Sequence, residues 1–213
     1  MRTLIKCNSI CDYELVDRNS DRVILLLHGY SENSSKIIKN LKEVIPKHYD
    51  IIAPNGPFPL PEKIESGYKL GFAWYFFDNI NNKYFIDHKY PTEFLINLIK
   101  FHLKKYEQII IIGYSQGGYL APFIANELEN CKNIFCINSQ IKYERLKNKK
   151  VHYQTTSINS QNDLIVEFDK AKMFHKGHIE NGNHGKFISN PNGTHRICQN
   201  ILKILKKELD CLK

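Results

Sequence analysis

The sequence predicts an α/β fold with a mainly parallel, twisted sheet and helices on both of its faces. Short apolar segments alternate along the chain with longer segments whose apolar residues recur at helical spacing. This alternation is typical of sheets built from βαβ units. The runs Val23–Leu27 and Ile109–Ile112 hold only aliphatic residues, as expected of strands buried on both faces. A length of 213 residues fits one domain over residues 1–213 with no large cap.

The hydrophobic pattern assigns each element in turn. Seven segments are predicted as strands because they are short and apolar, namely Tyr13–Asp17, Val23–Leu27, Asp50–Pro54, Gln108–Ile112, Asn133–Asn138, Val151–Ile158 and Lys186–Ser189. Five longer segments with helical periodicity are predicted as helices, namely Asn33–Lys47, Thr92–Tyr106, the segment carrying Leu120 to Leu128, Leu164–Phe174 and Ile197–Leu212. Prolines make the stretch from Pro54 to Pro61 rich in turns.

Composition excludes several classes of function. The chain carries a formal charge of +8, but almost all of the positive residues are lysines, whereas nucleic-acid readers depend on arginine. We therefore expect no nucleic-acid partner. No apolar segment is long enough to span a bilayer and the first residues form no signal peptide, so we expect a cytoplasmic protein with at most peripheral membrane contact. Six irregularly spaced cysteines indicate reduced thiols and no metal site.

A serine motif stands between the strand Gln108–Ile112 and the helix that follows it. Residues 113–117 read Gly-Tyr-Ser-Gln-Gly, the G-x-S-x-G pattern of a sharp turn that lifts the serine above the sheet edge. Small residues two positions before and after the serine let the backbone close this strained turn. We therefore predict Ser115 as a nucleophile.

A serine nucleophile needs a histidine base and an acid that orients it, and in this fold they follow the serine in the order acid, then histidine. His195 lies in the loop after the last short strand, at the carboxyl edge of the sheet where a loop histidine can reach the serine. Asp163 follows the strand Val151–Ile158 in an equivalent loop. His184 is the alternative base, and Asp169, inside a predicted helix, is the alternative acid.

The negative charge formed in acyl transfer is expected to be held by backbone amides. One predicted donor is the N–H of Gln116, directly after the serine, and the second is the N–H of Tyr30, in the loop after the first buried strand. His28, at the end of that strand, is expected to bind neighbouring backbone groups.

With these motifs in place, the chain resembles the α/β-hydrolase superfamily and, within it, the small carboxylesterase, lysophospholipase and acyl-protein thioesterase family. The matching motifs are Leu27-His28-Gly29, Gly113 to Gly118, Asn162-Asp163, Gly193-Thr194-His195, Ala53 to Pro57 and Ala73 to Asp78. The sequence departs from the family at Tyr30-Ser31-Glu32 and at Thr194-His195-Arg196, and Pro122 lies inside the helix after the serine. The resemblance implies the α/β-hydrolase fold and a shallow hydrophobic groove.

These residues predict a serine hydrolase that cleaves carboxylic esters or thioesters through an acyl-serine, without a metal or cofactor. Residues 58–90 form the expected substrate groove or lid, with Trp74, Tyr75 and Phe76 as substrate-binding residues. The expected substrate is a small acyl ester or thioester, and a lipidated protein or a lysophospholipid remains open. The alternatives are an acyltransferase or peptidase on the same scaffold, or an inactive relative that binds an acyl ligand or partner.

Overall fold

The computed structural model describes residues 9–78, 80–102, 106–147 and 150–212. Its strands in chain order are β1 (Tyr13–Val16), β2 (Arg22–Leu27), β3 (Asp50–Pro54), β4 (Phe58–Ile64), β5 (Gly67–Ala73), β6 (Phe76–Asp78), β7 (Lys83–Ile86), β8 (Gln108–Tyr114), β9 (Cys131–Ile137), β10 (Gln154–Ser160) and β11 (Gly185–Asn190). Its helices are α1 (Ser34–Leu41), α2 (Lys89–His102), α3 (Gln116–Ala125), α4 (Phe168–Glu180) and α5 (Gln199–Asp210).

Seven of these strands form the central sheet, in the order β1-β3-β2-β8-β9-β10-β11. All neighbours in it are parallel except β1, which is antiparallel to β3. The last residues of β8 pair with the last residues of β9, and Ser160 at the end of β10 pairs with Asn190 at the end of β11. The loops that follow β8, β9, β10 and β11 therefore all leave the same edge of the sheet.

The sheet is covered on both faces because its strands alternate side chains between two apolar cores. Val23, Leu25 and Leu27 of β2 face the core that is shared with α2 and α3. Ile24 and Leu26 face the opposite core, which α1 and α5 cover. The predicted fold class, a mainly parallel sheet between helical layers, is confirmed.

The helices have bounds that differ from the sequence prediction, and side-chain oxygens explain where two of them begin. Helix α1 begins after Asn33, whose side chain accepts the N–H of Lys36 at 2.9 Å, and it ends at Leu41 instead of reaching residue 47. Helix α4 begins at Phe168 and not at Leu164. The Asp163 carboxylate accepts the N–H groups of Ile165 and Val166, which holds this stretch in a turn ahead of the helix.

The segment between residues 58 and 90 contains two hairpins that the sequence did not predict. Within the ranges given above, strand β4 pairs only with β5, and β6 pairs only with β7. Pro59 and Pro61 lie within β4, which is compatible with an edge strand because such a strand donates few ladder hydrogen bonds. Part of the predicted helix Thr92–Tyr106, at residues 103–105, lies outside the described residues, as does Cys7.

Candidate active site

Ser115 lies at the turn that joins β8 to α3, and its backbone is in a sterically unusual conformation. Its φ is 51° and its ψ is −115°, a strained combination for a residue with a side chain. The turn closes tightly: a Cβ atom on Gly113 would overlap the Gly117 carbonyl, and one on Gly117 would overlap the Leu27 carbonyl. The glycine spacing is therefore a steric requirement of this turn.

The structure brings Ser115, His195 and Asp163 into one chain of hydrogen-bond contacts. The His195 Nε2 atom lies 2.9 Å from the Ser115 Oγ atom, and the His195 Nδ1 atom lies 2.7 Å from the Asp163 Oδ2 atom. The Asp163 side chain is almost completely buried, whereas His195 is 22% exposed on its side chain. This is the geometry that a serine nucleophile, its base and an orienting acid require.

The loops that carry Asp163 and His195 are joined to each other by their backbones. The Gln161 N–H donates to the Asn190 carbonyl and the Asn162 N–H donates to the Gly193 carbonyl. The Tyr114 hydroxyl, next to the serine, donates to the His195 carbonyl. The separation between acid and base is therefore set by the pairing of β10 with β11 and by these loop contacts.

The alternative base, His184, and the alternative acid, Asp169, both lie away from Ser115. His184 is exposed and directly precedes β11, where its carbonyl accepts the N–H of Thr155 near the start of β10. It is therefore at the amino edge of the parallel strands, opposite Ser115. Asp169 is exposed in the first turn of α4.

The loop predicted to supply the second amide donor is held by β5. The Ser31 N–H donates to the Phe72 carbonyl at 2.9 Å, and the Phe72 N–H donates to the Glu32 carbonyl at 2.8 Å. The Glu32 carboxylate accepts the Gly29 N–H at 3.2 Å, and burial raises the pKa of this carboxyl group. Tyr30 lies between these contacts and borders the same cavity as Ser115 and Gln116. Gln116 is the first residue of α3, where helical N–H groups lack intrahelical acceptors.

The side chain of Gln116 has a function that the sequence did not indicate. Its Oε1 atom accepts the Trp74 N–H at 2.7 Å, and its Nε2 atom donates to the Tyr75 carbonyl at 2.8 Å. These two bonds attach the segment between the hairpins to the turn at Ser115.

The expectation that Trp74 binds substrate is corrected by its burial. Its side chain has 0% exposure, its Nε1 atom donates to the His28 carbonyl at 2.9 Å, and its ring stacks on His28 with centroids 4.7 Å apart. His28 in turn contacts the Gly29 carbonyl through Nδ1 and accepts the Gly56 N–H at Nε2, and burial lowers its pKa to about 4. Trp74 and His28 thus form a buried support beneath the site.

A cavity of about 600 Å³ opens at Ser115. Its aromatic lining includes the two other predicted substrate-binding residues and comprises Tyr30, Tyr75, Phe76, Phe77, Tyr84 and Tyr119. Its polar lining includes Ser139, Gln140, Lys142, Arg145, Glu167 and Lys170, none of which the sequence analysis singled out. The lysines and the arginine carry no motif, so no local signal identifies them.

In the described parts of the chain, no three histidine, cysteine or acidic side chains are grouped in a way that could hold a metal ion. Within the same residues, no helix has both the length and the apolar character that a membrane span needs. The five cysteines in the described ranges are free thiols, namely Cys11, Cys131, Cys136, Cys198 and Cys211.

Comparison with known proteins places this geometry in a family. Residues 14–213 match the family model described as Phospholipase/Carboxylesterase. Acyl-protein thioesterase 2 from Zea mays superposes with a TM-score of 0.76 and 15% identity over 93% of this chain and 97% of the other. The carboxylesterase from Bacillus cereus superposes with a TM-score of 0.72 and 16% identity over 95% of each chain. At these identities the likeness concerns the fold.

A curated relative is protein ECM18 from Saccharomyces cerevisiae, which is 25% identical over 92% of this chain and 48% of its own length. The chain therefore spans about half the length of that relative. The family model covers nearly the whole sequence and agrees with the parallel sheet and with the resemblance noted from the motifs. The chain belongs to the phospholipase/carboxylesterase family of α/β hydrolases.

Proposed function

We propose that this protein hydrolyses carboxylic esters or thioesters through a covalent acyl intermediate on Ser115. The observation that carries the proposal is the continuous contact chain from the Ser115 Oγ atom through both nitrogens of His195 to the Asp163 carboxylate. A buried carboxylate at Nδ1 selects the tautomer in which Nδ1 bears the proton, which leaves Nε2 free to act as a base.

In the first half of the reaction, the Ser115 oxygen attacks the substrate carbonyl carbon as His195 Nε2 takes the hydroxyl proton. The resulting oxyanion accepts hydrogen bonds from the backbone N–H groups of Gln116 and Tyr30. The bond to the alcohol or thiol then breaks, and His195 returns the proton to that leaving group. Asp163 stabilises the imidazolium while it exists.

In the second half, water replaces the leaving group. His195 takes one proton from the water as its oxygen attacks the acyl carbon, and the acid product leaves as the proton returns to the Ser115 oxygen. The aromatic side of the cavity, with Tyr75 and Phe76, receives the acyl group. Because the cavity is open, we expect it to favour short and medium acyl chains. Each buried methylene group adds at most about 0.8 kcal/mol to the binding free energy.

The experiment combines a covalent probe with a substrate panel. A fluorophosphonate probe should label the protein at Ser115, and Ser115→Ala should lose both labelling and hydrolysis. Ser66→Ala, in the exposed turn between β4 and β5, is the matched control and should keep both. Labelling that survives Ser115→Ala would contradict the proposal.

The panel should contain esters and thioesters of graded chain length, a lysophospholipid and an acylated peptide. Release of free acid into water identifies a hydrolase. Transfer of the acyl group to an added alcohol or amine, without free acid, would identify an acyltransferase instead. A folded protein that neither reacts with the probe nor turns over any substrate would be an inactive binding relative.

A further inference from the structure

One side of the cavity at Ser115 carries a group of positive charges. Lys142 and Arg145 come from the loop and short turn after β9, and Lys170 comes from the first turn of α4. All three border the cavity that contains Ser115. Lys142 is half-buried, and Arg145 and Lys170 are exposed.

Two of these cations lie over aromatic rings. The Lys142 Nζ atom lies 3.4 Å from the centroid of the Phe174 ring, and the Arg145 guanidinium lies 5.1 Å from that of Tyr84. Among the described residues, none of the three cations forms an ion pair. Cation–π contacts orient a charge but do not neutralise it.

Two carboxylates lie nearby and do not balance the three cations. Glu167 borders the cavity, and Glu144 favours the charged form of Lys142. Burial is the main cause that lowers the pKa of Lys142 to about 8, and the charges of Lys170 and Arg145 lower it further. Lys142 is therefore still mainly protonated at neutral pH, in a place where its charge is costly.

A buried hydroxyl adds a further donor at the same cavity. Ser139 follows β9 by two residues and is 3% exposed. It borders the cavity, and its Oγ atom has no hydrogen-bond partner within the part of the chain that the structure describes. Buried polar atoms nearly always have a partner in proteins, so this hydroxyl is an unused hydrogen-bond donor at the wall of the cavity.

We propose that this cavity binds esters that carry an anionic oxygen group, a carboxylate or a phosphate, through Lys142, Arg145, Lys170 and Ser139. The proposal rests on the proposed function, and it names the chemistry that the substrate carries beyond its ester bond. An anionic oxygen group neutralises the excess positive charge, and arginine presents a planar fork that suits both carboxylate and phosphate. The aromatic side of the cavity remains available for the acyl chain.

The first experiment compares matched pairs of substrates, one pair for each source of the anion. The carboxylate pair is 4-butanoyloxybenzoate, whose carboxylate lies on the alcohol side of the ester, and the neutral 4-butanoyloxybenzamide. The phosphate pair is lysophosphatidic acid and the monoacylglycerol with the same chain. We expect kcat/KM to be about tenfold higher for the anionic member of at least one pair, because one charge-assisted hydrogen bond contributes a gain of this size. This preference should decrease as ionic strength rises.

The triple variant Lys142→Gln, Arg145→Gln, Lys170→Gln should bring that ratio close to one. Lys172→Gln is the matched control, because Lys172 is exposed on α4 and does not border the cavity, and it should keep the wild-type ratio. A wild-type ratio at or below one in both pairs would overturn the proposal. The proposal would also be overturned if the triple variant lowered kcat/KM equally for the anionic and the neutral member of a pair.

A binding measurement tests the anion site without turnover. Calorimetric titration of the Ser115→Ala protein with 4-hydroxybenzoate or glycerol phosphate should give a heat of binding. The same titration should give no heat of binding when the triple variant is combined with Ser115→Ala. Absence of binding of both anions overturns the proposal even if neutral esters are hydrolysed. Conversely, anion binding without any Ser115-dependent hydrolysis would contradict the proposed function and leave an anion-binding protein.

Discussion

The two oxygens of the Asp163 carboxylate have different partners. Oδ1 accepts the N–H groups of Ile165 and Val166 at 2.8 and 2.9 Å, while Oδ2 lies 2.7 Å from His195 Nδ1. One side chain therefore both folds the loop before α4 and orients the proposed base. The first pair of bonds holds residues 163–166 in a turn, and the contact to His195 places the carboxylate at the proposed base.

The first prediction follows from the different partners of the two carboxylate oxygens. Asp163→Asn keeps an oxygen for the loop N–H groups but presents an amide N–H₂ to His195, which favours the wrong tautomer. We expect kcat to fall on the order of 10⁴-fold, with little change in thermal stability. The check is kcat of the folded variant beside Asp169→Asn, which should stay near wild type. A strong loss in Asp169→Asn alone would mean that the acid is misassigned.

The burial of Trp74 gives the second prediction. Because its ring is fully buried and stacked on His28, Trp74→Ala should lower the free energy of unfolding by about 3–5 kcal/mol. Denaturant titration measures this loss, and Tyr68→Ala, which removes a 73% exposed ring, should cost little. Unchanged stability with an altered chain-length preference would show that Trp74 contacts substrate after all.

The hairpin β4–β5 acts on the site through the loop that contains Tyr30. Gly71 of β5 lies so close to this loop that a Cβ atom would overlap the Ser31 carbonyl. Ser31 itself has a φ of 58°, so the loop has little freedom to adapt. The hairpin therefore holds one predicted oxyanion donor in place.

We accordingly predict that Gly71→Ala displaces the loop and weakens the donor at Tyr30. Loss of one oxyanion donor costs about 10²–10³-fold in kcat, so a partial displacement should cost less, about tenfold or more, with KM changed less than kcat. Lys69→Ala, at an exposed position of the same strand, is the control. Wild-type kcat in a folded Gly71→Ala protein would show that β5 does not position the loop.

At the scale of the whole molecule, the residues whose burial the structure describes include three buried histidines that the proposed reaction does not use. His28 supports Trp74, while His175 and His178 of α4 pack against β10 and against each other. The His175 Nδ1 atom lies 2.9 Å from the Ser157 Oγ atom. Burial lowers the pKa of all three groups from 6.5 to about 4.

These shifts predict acid destabilisation. Below pH 6.5 the unfolded chain binds protons at these histidines while the folded chain does not, so stability is full above 6.5 and is lost as the pH falls towards 4. Each histidine should cost roughly 2 kcal/mol by pH 5. Denaturant titrations from pH 7 to 5 measure how the free energy of unfolding changes with pH.

The double variant His175→Gln, His178→Gln should lose stability less steeply with falling pH than the wild type. Proton uptake on unfolding, measured independently in the wild-type protein, should be close to three at pH 5 for these groups. If the free energy of unfolding depended equally on pH in the two proteins, or if unfolding took up no protons, these histidines would not be the cause of the acid destabilisation.

Local chemistry explains which features could be predicted from the order of residues alone. The turn at Ser115 was predictable because its steric demands are met by glycines within two residues, and the strands were predictable because their apolar runs can only be buried. The loops of Asp163 and His195 were identified because parallel strands end at one edge of the sheet. The contacts of His195 with Asp163 and Ser115, which span 32 and 80 residues, could therefore be predicted from the topology of the sheet. The family was recognisable from the same motifs.

Which surfaces face the site depends on contacts between residues that are far apart in the sequence. Burial of Trp74 depends on the His28 ring and on the side chain of Gln116, which are distant in sequence. The hairpins depend on strand pairs in a proline-rich stretch that has no clear alternation. The cations at the cavity come from two separate segments without a motif, because charge complementarity arises from spatial arrangement and leaves no periodic pattern along the chain.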